Sequence, residues 1–229
     1  MYLSRLILNP RSRQVRREIA DFYEMHRTIS QAYPNGTFRI DRRESGAAGV
    51  LFRLEMQERT GVPTLLVQSQ EPPDWGFLRA PGKDYLLSKD DLPLEVENPA
   101  VKPFKIELHA GQELAFRLRA NSVVKKDCEG KKQGRRVGLL HEEDQLKWLK
   151  RKIEDAGAQL ITARTANEET ITGKLYRQEE RHDLHFLSVQ FDGVLQVRDP
   201  ERLVSTVQAG IGSGKGLGFG LLSLARAAI

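Results

Sequence analysis

The sequence predicts an α+β protein with two ferredoxin-like (RRM-like) domains in tandem. Its 229 residues suit two compact domains of roughly 110 residues each, and its 39% hydrophobic content supplies a packed core for both. A pattern of strand, helix, strand and strand occurs twice along the chain, which is the order that begins a ferredoxin-like domain. We place an N-terminal domain at 1–100 and a C-terminal domain at 101–229.

The first domain begins with a short apolar strand from Tyr2 to Leu8. Apolar residues then recur at steps of three and four, which predicts one amphipathic helix from Gln14 to about Tyr33. The sequence Pro34-Asn35-Gly36 ends this helix. Two further strands are predicted at Gly49 to Met56 and at Val62 to Gln70.

The segment from Glu71 to Pro103 has no regular hydrophobic period, contains six prolines and is acidic between Lys83 and Glu97. These features predict a loop or linker between the domains. A strand at Lys105 to Leu108 is expected to complete the first sheet.

The second domain begins with a strand from Glu113 to Asn121, followed by a basic loop and a helix from Glu142 to about Ala156 that Gly157 ends. A second helix is predicted up to about Ala209, with Asp199 as its N-cap and Pro200 at its first position. The remaining strands are predicted at Leu160 to Arg164, Thr170 to Tyr176, Asp183 to Phe191, Val194 to Val197 and Phe219 to Leu224.

The charge favours a polyanionic partner. The chain has 36 Lys and Arg against 31 Asp and Glu, a net charge of +5. Basic residues concentrate between Arg11 and Arg17, between Lys125 and Arg136, and around a hairpin with Lys174 and Arg177, as nucleic-acid backbone binding requires. The single cysteine excludes a disulfide framework, and no run reaches the roughly 18 apolar residues of a membrane span. We expect a cytoplasmic protein without membrane contact.

The segment from Gly210 to Gly220 holds six of the 19 glycines. Its spacing matches neither a P-loop nor a dinucleotide-binding turn. Its backbone, including Gly212, Gly214 and Gly216, can approach a partner closely, and Lys215 is its one charge, so a phosphate backbone is one expected partner. A turn whose glycines allow tight packing is the alternative.

Tyr23, His26 and Arg27 lie within one helical turn and can form one surface patch. Metal-free RNA cleavage needs a proton acceptor, a proton donor and a positive charge near the phosphate, and these residue types supply all three. The residues alone leave a purely structural His26 open, because a lone histidine in the apolar row of a helix is commonly a core residue. We find no pattern for a metal site or a cofactor.

Five segments occur in the order seen in one known family: MYLSRLIL, FYEMHR, FRLRAN, WLKRKI and QAGIGSGKGLGFGLLSLA. The chain resembles the CasE family of type I-E CRISPR repeat-processing endoribonucleases. The resemblance implies tandem ferredoxin-like domains and metal-independent cutting of precursor RNA at the 3′ base of the repeat hairpin. In that reaction the 2′-hydroxyl attacks the adjacent phosphate, leaving a cyclic phosphate and a 5′-hydroxyl.

The resemblance also implies roles for individual residues. His26 and Tyr23 match the catalytic histidine and tyrosine, while Arg27, Lys215, Lys174 and Arg177 are expected to contact RNA along with the glycine segment. The expected partners are the CRISPR repeat RNA hairpin and the other subunits of the Cascade complex. A non-catalytic RNA-hairpin-binding subunit is the main alternative, and a double-stranded DNA binder is a third.

Overall fold

The computed structural model describes residues 1–33, 49–93, 95–126, 135–177 and 180–227. The chain forms two compact units. The first contains Met1–Lys105, Thr172–Leu184 and Lys215–Gly218, and the second contains Ile106–Ile171, His185–Gly214 and Phe219–Ile229. None of the helices in the described ranges has the length and apolar character that crossing a membrane requires.

The first unit contains an antiparallel sheet of four strands in the order β2-β3-β1-β4. This is the strand order of a ferredoxin-like domain, so the predicted fold class is confirmed. The predicted strands at the start of the chain are confirmed to within a residue or two. The strands are β1 (Tyr2–Ile7), β2 (Val50–Met56), β3 (Pro63–Ser69) and β4 (Ala100–Pro103).

The single helix predicted from Gln14 to Tyr33 is wrong. The structure has two helices, α1 (Arg13–Ala20) and α2 (Phe22–Ser30), which are separated at Asp21. Asp21 has an extended backbone (φ −140°, ψ 95°), and its carboxylate accepts a hydrogen bond of 3.1 Å from the Tyr23 N–H. A short acidic side chain that binds a nearby N–H favours a helix start over a helix interior, and it therefore ends α1 and caps α2.

Where the structure describes it, the segment predicted as a loop or linker has only two short 3₁₀ helices before β4, as a loop would, but it is packed against the first sheet. Trp75 and Tyr85 are 5% and 1% exposed, and the Trp75 indole N–H donates to the Ser4 hydroxyl at 3.1 Å. Asn98 forms two hydrogen bonds with the backbone of Ile7, accepting from its N–H at 2.9 Å and donating to its carbonyl at 2.8 Å. The prolines break the hydrophobic period, yet Trp75, Leu78 and Tyr85 between them are buried as part of the core.

The strand that completes the first sheet is β4, and the expected strand at Lys105 to Leu108 is wrong. β4 pairs with β1 at the edge of the sheet, where Pro103 is tolerated because an edge strand has one side without ladder partners. Where the ferredoxin-like order places a second helix, the described residues contain two short 3₁₀ helices, Gly76–Arg79 and Lys89–Asp91.

A second sheet has the same arrangement, with four strands in the order β10 (Leu222–Arg226), β5 (Glu113–Asn121), β9 (Glu180–Val197) and β8 (Ala158–Arg177). Apart from the Thr172–Leu184 portion of β8 and β9, which belongs to the first unit, it lies in the second unit. Its core is formed by apolar side chains of the sheet and both helices, including Leu118, Leu149, Phe191 and Leu203, each fully buried. The prediction for the helix that follows Asp199, α4 (Pro200–Ala209), is confirmed, since the Asp199 carboxylate accepts from the Arg202 N–H at 3.1 Å. The elements are β5 (Glu113–Asn121), the paired strands β6 (Val123–Lys126) and β7 (Arg135–Gly138), α3 (Glu142–Asp155), β8 (Ala158–Arg177), β9 (Glu180–Val197), α4 (Pro200–Ala209) and β10 (Leu222–Arg226).

Four predicted strands are in fact two long ones, β8 and β9. The pair Asp192-Gly193 is typical of a turn, but here it lies inside β9 and pairs with β5. A Cβ at Gly193 would overlap the Thr162 carbonyl oxygen, so this glycine permits close approach between strands. The last strand was also predicted too early, because Phe219 and Leu221 are buried outside any strand and β10 begins at Leu222.

Candidate active site

The candidate active site is built on α2. The rings of Tyr23 and His26, one turn apart, are stacked with centroids 6.5 Å apart and planes 16° apart. The cap at Asp21 fixes the start of this helix immediately before Tyr23. Tyr23 is partly exposed, whereas His26 is only 5% exposed. The helix thus places a buried imidazole directly behind a phenol that solvent can reach.

The environment of His26 favours its neutral form. Burial lowers its pKa from 6.5 to about 4, partly offset by a hydrogen bond with the backbone of Gly216 that raises it. The imidazole is therefore neutral at pH 7. A neutral imidazole has one N–H donor and one nitrogen acceptor, and a backbone hydrogen bond fixes its orientation. Such a ring has a nitrogen that can accept a proton, but burial disfavours the imidazolium that would form, so it is a weak base until an anionic ligand lies close to it.

The glycine segment reaches this histidine through a short 3₁₀ helix, Lys215–Leu217. Gly218 follows it with φ of +81°, and a Cβ there would lie 3.1 Å from the Phe52 ring and 3.3 Å from the Phe22 ring. Only glycine combines this left-handed conformation with so close an approach to two aromatic rings. These contacts hold Gly216 beside His26, so two motifs that are far apart in sequence meet within the first unit.

Lys215 is half-buried, and burial lowers the pKa of its ammonium group. Arg27 is exposed to 65% and forms an ion pair of 3.2 Å with Glu24 on the same helix. The two predicted RNA contacts therefore differ, because Lys215 is partly shielded from water and Arg27 extends into it. The attraction between an ammonium group and an anionic ligand is stronger when the ammonium group is partly desolvated than when it is fully hydrated.

Gly212 and Gly214 lie in the second unit. A Cβ at Gly214, whose φ is +78°, would lie 2.8 Å from the Phe219 ring, and one at Gly212 would lie 3.4 Å from the Trp148 ring. Close packing at Gly214 and a φ of +82° at Gly212 therefore account for these two glycines, and their contact with RNA stays a prediction.

Two further predicted contacts lie on the part of β8 that belongs to the first unit. Lys174 and Arg177 belong to its backbone, but their side chains lie outside the described residues, as does most of the basic segment between Lys125 and Arg136. Among the described residues, no group of three His, Cys, Asp or Glu side chains is placed to hold a metal ion.

A buried carboxylate beside the site was not predicted. Glu18 of α1 is 1% exposed and accepts hydrogen bonds from Tyr85 at 2.6 Å, from Thr28 at 2.6 Å and from Gln14 at 2.8 Å. It joins α1 to α2 and to the packed segment after β3. The sequence does contain a signal that Glu18 is buried. It follows the buried Val15 by three residues and so lies on the apolar face of the helix.

Comparison with known proteins identifies the family. The family model described as CRISPR associated protein matches residues 1–226. This chain belongs to that CRISPR-associated family. One relative is the CRISPR-associated endoribonuclease Cse3 of Thermus thermophilus, 36% identical over 98% of this chain and 100% of that protein. Another is the CRISPR system Cascade subunit CasE of Escherichia coli, 29% identical over 98% and 99% of the two chains.

Solved structures of this CRISPR-associated family share the fold. A Cse3 endoribonuclease bound to a 19-nucleotide RNA has a TM-score of 0.78 and 35% identity, covering 99% of this chain and all of the other. Thermus thermophilus Cse3 bound to an RNA that represents a pre-cleavage complex has a TM-score of 0.76 and 35% identity, with 98% of each chain covered. The predicted resemblance to the CasE family and the predicted tandem ferredoxin-like fold are both confirmed.

Proposed function

We propose that this chain is an endoribonuclease that cuts CRISPR precursor RNA at the 3′ base of the repeat hairpin. The observation that carries the proposal is the stacked Tyr23–His26 pair beside Gly216, in a chain that matches an RNA-bound endoribonuclease along its full length. Related proteins carry the names of a CRISPR-associated endoribonuclease and of a Cascade subunit, which supports both the reaction and the complex in which it takes place.

The proposed reaction is an in-line attack by the ribose 2′-oxygen. The 2′-hydroxyl gives its proton to His26 while its oxygen bonds to phosphorus, and the bond from phosphorus to the 5′-oxygen breaks. A proton from Tyr23 reaches the departing 5′-oxygen, so the products are a 2′,3′-cyclic phosphate and a 5′-hydroxyl. His26 is neutral at pH 7, the form that a base requires, and its low pKa means that the bound phosphate must stabilise the imidazolium as it forms. A well-placed proton transfer accelerates such a step by about 10²–10⁴-fold.

The RNA contacts we propose come from several parts of the chain. Arg27 projects from the same helix, and Lys215 lies beside Gly216 in the 3₁₀ helix. We propose Gly212 and Gly214, which precede Lys215 in the glycine segment, as backbone contacts. Lys174 and Arg177 are proposed contacts from β8. An A-form hairpin is recognised mainly through its shape and backbone, which suits basic side chains and exposed amides.

After cutting, we propose that the protein keeps the mature guide RNA and remains a subunit of the Cascade complex. The relationship to the CasE subunit supports this step. We propose that the protein acts in the cytoplasm, on the precursor RNA that transcription supplies.

The test is incubation of the purified chain with its cognate repeat hairpin in EDTA. We expect cutting at one position, with a cyclic phosphate on the 5′ fragment, and no cutting when the nucleotide before the cut is 2′-deoxy. Binding without cutting would instead make the chain a hairpin-binding subunit, and normal cutting of the deoxy substrate would refute the in-line attack. Efficient competition by duplex DNA would indicate a DNA-binding protein.

A further inference from the structure

The helix before the active site has a strongly basic outer face. Arg13, Arg16 and Arg17 lie at the i, i+3 and i+4 positions of α1 and are all exposed. The one acidic residue of this helix, Glu18, points into the core, where three protein hydrogen bonds hold it. The outer face therefore carries three positive charges and no negative one. We call these three residues the arginine face.

This charge pattern opposes the stability of the helix. Like charges at these spacings repel each other, and the first turn of α1 contains no acidic residue, although the helix dipole favours one there. Among the described residues, neither Arg13 nor Arg16 takes part in an ion pair. A cost of this kind is expected where the cations bind an anionic partner.

The arginine face is joined to the candidate active site. Arg17 lies 3.8 Å from a carboxylate oxygen of Glu24, and Arg27 lies 3.2 Å from the other oxygen of the same group. Glu24 directly follows Tyr23 on α2. Arginine side chains therefore extend from α1, past the shared Glu24 carboxylate, to Arg27, which directly follows His26.

We propose that the arginine face binds the single-stranded RNA that continues past the cut. The inference rests on the proposed function: a cut at the base of a hairpin leaves unpaired RNA on the far side of the scissile phosphate. That strand must leave the site next to Tyr23 and His26. Its phosphates are the anions that a row of arginines recognises without regard to base sequence.

The test compares a 2′-deoxy repeat hairpin with the same hairpin extended at its 3′ end by a uridine tail of about eight nucleotides, long enough to carry several phosphates. Neither RNA can be cut by 2′-hydroxyl attack, so binding is measured separately from catalysis. The binding result can therefore be interpreted even if the proposed cleavage does not occur. We expect the wild-type chain to bind the tailed RNA more tightly. Two phosphate contacts predict that the log of the affinity falls more steeply with the log of the salt concentration for the tailed RNA, by about 1.4 in slope. The ratio of the affinities for tailed and tailless RNA should therefore fall roughly sevenfold between about 50 and 200 mM salt.

The test variant is Arg13→Ala with Arg16→Ala. In this variant the tailed RNA should bind no more tightly than the tailless hairpin and should show the same salt dependence. The affinity for the tailless hairpin should stay unchanged. Lys150→Ala with Arg151→Ala, which removes two exposed charges from α3, is the matched control and should keep the full advantage. If the tail advantage survives in the test variant, or if the variant loses tailless binding equally, the proposal is wrong. The first of these outcomes would leave the arginine face available to an acidic protein surface.

Discussion

Protonation of His26 should cost folding stability, because the folded protein holds this ring in its neutral form. Its pKa in the fold is about 4, against 6.5 for an ordinary histidine. As pH falls, the unfolded chain therefore takes up the proton first, and stability falls between about pH 6.5 and pH 4. Above pH 6.5 the ring is neutral in both states and makes no contribution to the pH dependence.

The size of the effect follows from the two pKa values. The full shift corresponds to about 3 kcal/mol, of which about 2 kcal/mol is lost between pH 7 and pH 5. The lower limit of pH 5 is useful because ordinary carboxylates are still largely ionised there. Most of the decrease in this interval should therefore come from histidine.

The assay is urea unfolding of the wild-type chain and of His26→Asn at pH 7 and pH 5. The wild type should lose about 2 kcal/mol more than the variant over this interval, and the His26 ring should titrate near pH 4 in NMR. His109→Asn, which replaces an exposed histidine, is the control and should follow the wild type. An equal loss in wild type and His26→Asn, or a ring that titrates near 6.5, would refute the assignment of a buried neutral imidazole.

Three further substitutions test the surroundings of the site. Lys215→Ala should weaken hairpin binding and lower the salt slope by about one unit; an unchanged slope would show that this side chain touches no phosphate. Gly218→Ala should destabilise the fold by about 1–3 kcal/mol through strain at positive φ and the close Phe52 ring, and slow cleavage. The control Gly82→Ala, at a similar φ with no atom within 4 Å of the added Cβ, should leave cleavage unchanged, and equal cleavage by both variants would contradict the packing argument. Tyr85→Phe should lower the free energy of unfolding in urea by about 2 kcal/mol, because it removes a hydrogen bond to buried Glu18. If Tyr85→Phe lowers it equally in a chain that already carries Glu18→Gln, the hydrogen bond is not the cause.

The sequence predicts most of the regular elements because their signals are local. α4 begins at a capping aspartate followed by proline, and the period of alternating side chains in β5 identifies its exact bounds. Both signals depend on the residue's own backbone and on neighbours a few positions away. Tertiary contacts do not alter them.

The wrong predictions concern residues whose conformation depends on distant contacts. Gly193 marks a turn by local preference, but a neighbouring strand requires the absence of a Cβ there. The segment that contains Trp75 and Tyr85 is a loop, as predicted, but its packing is not visible until Ser4 and Glu18 are known to accept their hydrogen bonds. Such partners lie about 70 positions away in sequence, beyond the range of any periodicity.

The sequence predicts the individual residues of the candidate site but not the contacts that bring them together in the fold. Tyr23 and His26 could be paired from the helical spacing, and the glycine segment was recognised from its composition. That Gly216 lies against His26 could not be predicted, since the contact depends on Gly218 packing on two aromatic rings. The burial that lowers the pKa of His26 is likewise a property of the folded unit.

The most direct test of the central claim is the single-turnover rate at which His26→Ala cleaves the cognate repeat hairpin in EDTA, measured alongside the affinity for that hairpin. The proposed mechanism predicts a rate lower by about 10²–10⁴-fold with affinity within about threefold of the wild type. His109→Ala is the control and should cleave at the wild-type rate. A normal rate in His26→Ala, or a loss of affinity as large as the loss of rate, would contradict a catalytic His26.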